Sequence, residues 1–108
     1  MPFDGVDTTG AALGILRYAR AQIAAGHWCQ HDWGTHGNHC ALGWMHHASD
    51  GPGPETRMAI TALNAAMPRR ERVGPVAQTV IDYNDNHTQR GVVRLFDRAI
   101  ATLERQQP

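Results

Sequence analysis

The clearest constraint on the fold is an apolar stripe near the carboxyl end of the chain. Thr88 can accept a helix-capping hydrogen bond, and apolar residues then recur every three or four positions. That spacing places their side chains on one face of an α-helix. A single helix of this length is stable only when other segments cover its apolar face. The stripe consists of Val92, Leu95, Phe96, Ala99 and Leu103.

Helical spacing also governs the rest of the chain, which glycine and proline divide into short segments. Gly26 can stop a first helix in a left-handed conformation, and Asn38 can cap a second helix. No segment alternates apolar and polar residues over enough positions to predict a strand. The predicted helices are, in chain order, 9–25, about 39–48, from Pro54 to before Pro68, from Pro75 onward, and from Thr88 onward.

These segments predict an all-α fold. We expect a compact single domain of four to five short helices, with a long ordered loop after helix 1. The chain has 108 residues, which suits one domain with one modest core. We therefore treat residues 1–108 as a single helical domain, in which residues 1–8 are flexible and residues 105–108 are frayed.

Charge and hydropathy narrow the range of partners. Ten acidic and ten basic residues give a formal net charge of zero, whereas proteins that bind nucleic acid usually carry a basic excess. No run approaches the roughly 18 apolar residues that span a bilayer, and the amino terminus carries no secretion signal. We therefore expect a cytoplasmic protein that binds neither nucleic acid nor membrane. Every basic residue is arginine, which indicates a GC-rich genome such as that of an actinobacterium or its phage.

Residues 26–48 hold both cysteines, all three tryptophans and six of the seven histidines. Thiolate and imidazole groups are common zinc ligands, and four of them would stabilise a loop that has no helical period. The spacing differs from that of familiar zinc sites, which use two close pairs separated by a longer stretch. In a cytoplasmic protein both cysteines stay reduced unless they bind metal or change redox state. The candidate zinc ligands are Cys29, His31, His36 and Cys40.

Cys40 also permits a different chemistry. If Asn38 caps the second helix, Cys40 lies in the first turn, where the helix dipole would stabilise a thiolate. A nearby histidine could then act as a base, oriented by Asn84 or Asp85. The apolar neighbours of Cys40, among them Leu42, favour instead a buried cysteine that packs as a small hydrophobic side chain. Both interpretations remain open on the residues alone.

Three stretches of the sequence resemble a known family. In chain order they are "GHWCQ", "CALGWMHHA" and "IDYNDNHTQRGVVRLFDRAI". They are similar to stretches of DUF6197, a family of small actinobacterial and actinophage proteins of unknown function. The resemblance covers most of the chain, from the first helix to residue 104, and it implies a shared fold without an activity. The positions that carry it are Trp28, Gln30, Cys40, Gly43, Asn84 and Asp85.

Asn84 and Asp85 suggest what this set of residues does. Asparagine and aspartate accept backbone hydrogen bonds and suit tight turns, here between the fourth and fifth helices. From that turn they could reach unpaired amides in the 27–37 loop or at the start of the second helix. We expect Trp28 to pin the loop to the core, while Gln30, Asn84 and Asp85 hold it through polar contacts.

These expectations lead to three hypotheses of function. The preferred one is a non-enzymatic accessory or regulatory protein that binds a partner through the 27–39 loop. That partner is a protein or a small molecule, and no cofactor is expected. The first alternative is a zinc-binding protein that uses the cysteines and histidines of the loop. The second is a small cysteine-dependent enzyme in which Cys40 is the catalytic residue.

Overall fold

Five α-helices make up most of the computed structural model, which describes residues 7–35, 37–49 and 53–107. The prediction of an all-α fold is therefore confirmed. A short 3-10 turn at Arg69–Glu71 and two two-residue strands, β1 (Gly34–Thr35) and β2 (Asn38–His39), are the other regular elements in these ranges. The helices are α1 (Thr8–Ala24), α2 (Ala41–His47), α3 (Pro54–Ala66), α4 (Val76–Asn86) and α5 (Gln89–Gln106).

The core lies among α1, α3 and α5, each of which contacts the other two. The predicted stripe of α5 is confirmed, since all five of its residues are at most 4% exposed. Phe96, at 0% exposure, is the largest fully buried side chain. The short helix α2 contacts α1, α3 and α4. The start of α2 and the end of α4 are therefore neighbours, and this junction positions the candidate site.

The second helix begins differently from the prediction. Asn38 was expected to cap it, but Asn38 lies in β2, and Cys40 is the N-cap residue. The Cys40 thiol accepts a hydrogen bond from the Gly43 amide at 3.3 Å. The reason is that β2 pairs with β1 and so keeps the backbone extended as far as Cys40. Sulfur is a weak acceptor, so this cap depends on further support from outside the helix.

The fourth helix is longer than predicted. Asn84 and Asp85 were expected in a turn after it, but they form its last turn, since α4 continues to Asn86. Asparagine and aspartate have low intrinsic helix propensity. Here their side chains are held by hydrogen bonds to the segment between α1 and α2, and this tertiary contact offsets the low propensity.

The long loop predicted after helix 1 is not confirmed as such, because the segment contains a short hairpin. Strands β1 and β2 pair antiparallel, with Gly34 opposite His39. A parallel bridge also joins Trp28 to His39. Gly26 and Gly37 have φ angles of 97° and 82°, the left-handed region that glycine adopts without strain. The segment is therefore backbone-paired at both ends.

The chain ends fall only partly within the described residues. Residues 1–6, for which flexibility was expected, lie outside them, while Asp7 caps α1 and Thr8 begins it. Residue 108 also lies outside, and α5 continues to Gln106. Within the ranges that the structure covers, no helix has both the length and the apolar character required to cross a bilayer.

The cap of α5 provides a test of the fold. The Thr88 hydroxyl accepts a hydrogen bond from the Gly91 amide at 3.1 Å. Thr88→Ala should lower the free energy of unfolding by about 0.5–2 kcal/mol, the usual cost of losing an N-cap. Thr88→Ser keeps the hydroxyl and should cost much less. Urea denaturation of both variants measures the difference, and equal losses would contradict the capping role.

Candidate functional site

The side-chain amide of Asn84 lies at the centre of the site. Asn84 projects from the last turn of α4 and is 1% exposed. Its Oδ1 accepts hydrogen bonds from the Trp28 indole at 2.7 Å and from the Ala41 amide at 3.0 Å. Its Nδ2 donates to the Cys29 carbonyl at 3.0 Å and to the Asp85 carboxylate at 3.1 Å. All four hydrogen-bonding positions of the amide are therefore filled.

This amide takes the place of a peptide group next to the parallel bridge between Trp28 and His39. The His39 amide donates to the His27 carbonyl, and the Cys29 amide donates to the His39 carbonyl. The next bond of a parallel ladder would join the Ala41 amide to the Cys29 carbonyl. Asn84 stands between those two groups instead and bonds to both. Its side chain thus lets the strands separate after the bridge while both backbone groups stay paired.

Gln30 completes the connection at the other helix end. Its Nε2 lies within 3.3 Å of three backbone carbonyls at the end of α4, those of Asn84, Asp85 and His87. Carbonyls in the last turn of a helix have no partner inside the helix. Segment 28–31 therefore satisfies the carboxyl end of α4, while Asn84 satisfies the first amide of α2.

Asp85 fixes the conformation of His31. Its Oδ1 accepts a hydrogen bond from the His31 amide at 2.8 Å, and its Oδ2 lies 3.8 Å from the imidazole Nδ1. His31 has a φ angle of 60°, which is uncommon for a residue other than glycine. The carboxylate thus holds the backbone in a turn that it would rarely adopt alone.

Gly43 is required by close packing. A side chain at this position would place Cβ 2.6 Å from the Trp33 carbonyl oxygen, which is too close for any other residue without a backbone shift. The Trp33 carbonyl also accepts a hydrogen bond from the Cys40 amide at 3.4 Å. The structure therefore brings Trp28, Gln30, Cys40, Gly43, Asn84 and Asp85 into one connected unit.

A cavity of about 410 Å³ opens beside this unit. Trp33 is 53% exposed, a high value for so large an apolar side chain. Sequence reasoning included Asp32 and Trp33 only as members of the 27–39 loop, and it missed Ile81. The only available signal was an aromatic residue beside an acidic one in an aperiodic stretch. The cavity is lined by His31, Asp32, Trp33, Cys40, Ile81 and Asp85.

The thiol of Cys40 does not have the lowered pKa expected at a helix start. Burial raises its pKa above the ordinary cysteine value, although the hydrogen bond from the Gly43 amide acts in the opposite direction. Burial also raises the pKa of Cys29, with smaller contributions from Cys40 and Asp32. Both thiols are free, and at neutral pH both are protonated to a greater extent than ordinary thiols.

Three of the four predicted zinc ligands, Cys29, His31 and Cys40, are among the described residues. His36 lies outside the described residues. Among the residues that are described, no group of three or more histidine, cysteine or acidic side chains is placed to hold a metal ion. The His31 ring is directed toward Asp85, and the Cys29 thiol contacts the Asp32 carbonyl at 3.6 Å.

Three other histidines of the segment, His39, His46 and His47, pack against aromatic rings. His39 meets Trp44 edge-on with ring centres 4.6 Å apart, and His47 stacks on Tyr18 at 6.2 Å. The Trp44 indole donates a hydrogen bond to the His27 carbonyl. These contacts join β2 to α2, α2 to α1, and α2 to the residue that follows Gly26.

Comparison with known proteins gives one match. Residues 7–102 match the model of a family of unknown function, DUF6197. No significant match was found among curated proteins or among solved structures. The match covers Asn84 and its hydrogen-bond partners described above.

Replacing Asn84 tests the assembly of this site. Asn84→Ala leaves the Trp28 indole, the Cys29 carbonyl and the Ala41 amide without their partner. An unpaired buried group costs about 1–3 kcal/mol, so the free energy of unfolding should fall by at least about 3 kcal/mol.

The matched control is Asn86→Ala, which removes the same side chain from an exposed position two residues later on α4. It should change the free energy of unfolding by no more than about 0.5 kcal/mol. Asp85→Ala removes the acceptor of the His31 amide and of the Asn84 side chain, and its effect should fall between the other two at about 0.5–2 kcal/mol, the range for a lost capping acceptor. Denaturant melts rank the three variants, and a neutral Asn84→Ala would refute the role of the amide.

Proposed function

The chain belongs to the DUF6197 family, and from that premise we propose that it is a non-enzymatic accessory or regulatory protein. In this proposal it binds a partner through residues 27–39, at the cavity beside α4. The observation that carries the proposal is Trp33, which is 53% exposed on the cavity wall. Tryptophan is enriched among the residues that contribute most to binding at protein interfaces.

The backbone beneath Trp33 supports this role. Its carbonyl is fixed by the Cys40 amide, and the neighbouring His31 amide is fixed by Asp85. A binding loop that is already ordered loses less conformational entropy when it binds. The hydrogen bonds around Asn84 therefore favour a preformed contact surface.

The charges of the cavity favour a positively charged group on the partner. Two carboxylates, Asp32 and Asp85, line the cavity together with the His31 imidazole, and none of the described lining residues is an arginine. A cation near these carboxylates could also contact the face of the Trp33 indole, since cations are attracted to aromatic rings. We therefore infer a partner, protein or small molecule, that presents an arginine-like or lysine-like cation next to apolar surface.

We also propose the class of partner and the cellular location. The formal net charge of zero supports a partner other than nucleic acid. We place the protein in the cytoplasm of an actinobacterium or its phage, where it needs no cofactor. The alternatives, zinc binding and thiol catalysis by Cys40, are separated from it by elemental analysis and thiol reactivity of protein purified without an affinity tag.

Selection from a library of displayed random peptides tests the proposal. The full chain should enrich peptides with arginine or lysine next to an apolar residue. Trp33→Ala should weaken binding of a selected peptide by about tenfold or more, as expected for the loss of a central interface tryptophan.

The control variant is Val73→Ala, which shortens an apolar side chain that is 74% exposed and outside the cavity. It should leave the affinity unchanged. Enrichment of acidic peptides, or equal affinity for the wild type and Trp33→Ala, would overturn the proposed site.

A further inference from the structure

Cys29 and Cys40 lie on two extended segments that a parallel bridge joins. Each follows a member of the bridge between Trp28 and His39, and the Cys29 amide donates to the His39 carbonyl at 3.3 Å. In parallel strands, the residues that follow a bridged pair also lie opposite each other. Side chains of opposed residues project to the same face of the pair.

The usual spacing of bridged extended segments suits a disulfide. Paired strands lie about 4.7–4.9 Å apart, and a disulfide joins Cα atoms about 4.4–6.8 Å apart. The Asn84 amide enters the pair only beyond this position, between the Cys29 carbonyl and the Ala41 amide. The cysteines therefore lie between the bridge and the point where Asn84 separates the two segments.

Neither thiol is held strongly in its present position. The Cys29 thiol contacts the Asp32 carbonyl at 3.6 Å, and the Cys40 sulfur accepts from the Gly43 amide at 3.3 Å. Both are weak sulfur hydrogen bonds that a side-chain rotation can exchange for a covalent bond. Cys29 is partly exposed, whereas Cys40 is only 3% exposed. An oxidant therefore reaches Cys29 first.

We propose that Cys29 and Cys40 are a thiol–disulfide modification site, which a peroxide converts to an intramolecular disulfide. The Cys29 thiolate attacks one oxygen of hydrogen peroxide, so that an S–O bond forms, the O–O bond breaks and the departing hydroxide takes a proton to become water. The Cys40 thiolate then attacks the sulfur of the resulting sulfenic acid. The S–S bond forms as the S–O bond breaks, and the second oxygen leaves as water.

The disulfide would change the segment that carries Trp33. It closes a ring from Cys29 to Cys40 that contains both strands of the hairpin, and it withdraws the Cys40 sulfur from the Gly43 amide. Because burial raises the pKa of both thiols, the oxidation should be slow at neutral pH and should accelerate as the pH rises. Formation of the disulfide requires no binding partner.

Mass spectrometry of the full-length chain tests the site. After hydrogen peroxide treatment under native conditions, the intact mass should fall by two hydrogen atoms and both free thiols should disappear. A reductant should restore both. Asp32 is the one acidic residue between the cysteines, and neither lysine nor arginine lies there. After cleavage at Asp32, the peptides that carry Cys29 and Cys40 should stay joined until they are reduced.

Two variants identify the order of events. In Cys40→Ser, Cys29 should accumulate as a sulfenic acid that dimedone captures. In Cys29→Ser, the buried Cys40 should react with peroxide far more slowly. In the wild-type chain, addition of oxygen to separate cysteines without a linked peptide would overturn the proposal. So would disulfides that form only between two chains.

Discussion

The structure depends on one side chain, the buried amide of Asn84. A primary amide has the same donor and acceptor groups as a peptide unit, and Asn84 uses them to replace one step of a backbone ladder. It thereby joins three parts of the chain: the end of α4, the extended segment at 28–29, and the start of α2. Without a partner at this point, the first amide of α2 would be buried and unpaired, at a cost of about 1–3 kcal/mol.

Asn84 can hold these segments together because the start of α2 lies next to the end of α4. Helix α2 presents free amides and α4 presents free carbonyls, and segment 28–31 lies between them. Gln30 donates to the carbonyls, while Asp85 accepts from the His31 amide. Each helix end is thus satisfied by groups that also position the segment. The same contacts leave Trp33 exposed on an ordered backbone, and this combination is the basis of the proposed binding role.

The sequence predicted the helices more accurately than the connections between them. The stripe of α5 follows from spacing alone, because burial of one helix face imposes a period of 3.6 residues. The resemblance to DUF6197 grouped Asn84 and Asp85 with Trp28 and Gln30, and in the structure Trp28 and Gln30 both donate hydrogen bonds to Asn84. Spacing could not show that Cys40 caps α2, since serine, threonine, aspartate and asparagine are the usual caps. A hairpin with two-residue strands has no detectable period.

Amide hydrogen exchange at Ala41 tests the central claim most directly. The first amides of an α-helix have no acceptor within the helix and normally exchange quickly. The side-chain oxygen of Asn84, Oδ1, gives the Ala41 amide an acceptor at 3.0 Å in a buried position. By NMR, the Ala41 amide should therefore exchange as slowly as amides in the middle of α1 and α5. If the Ala41 amide exchanges at the rate of an unstructured chain, Asn84 does not hold this amide in a stable hydrogen bond, and the proposed role of Asn84 is wrong.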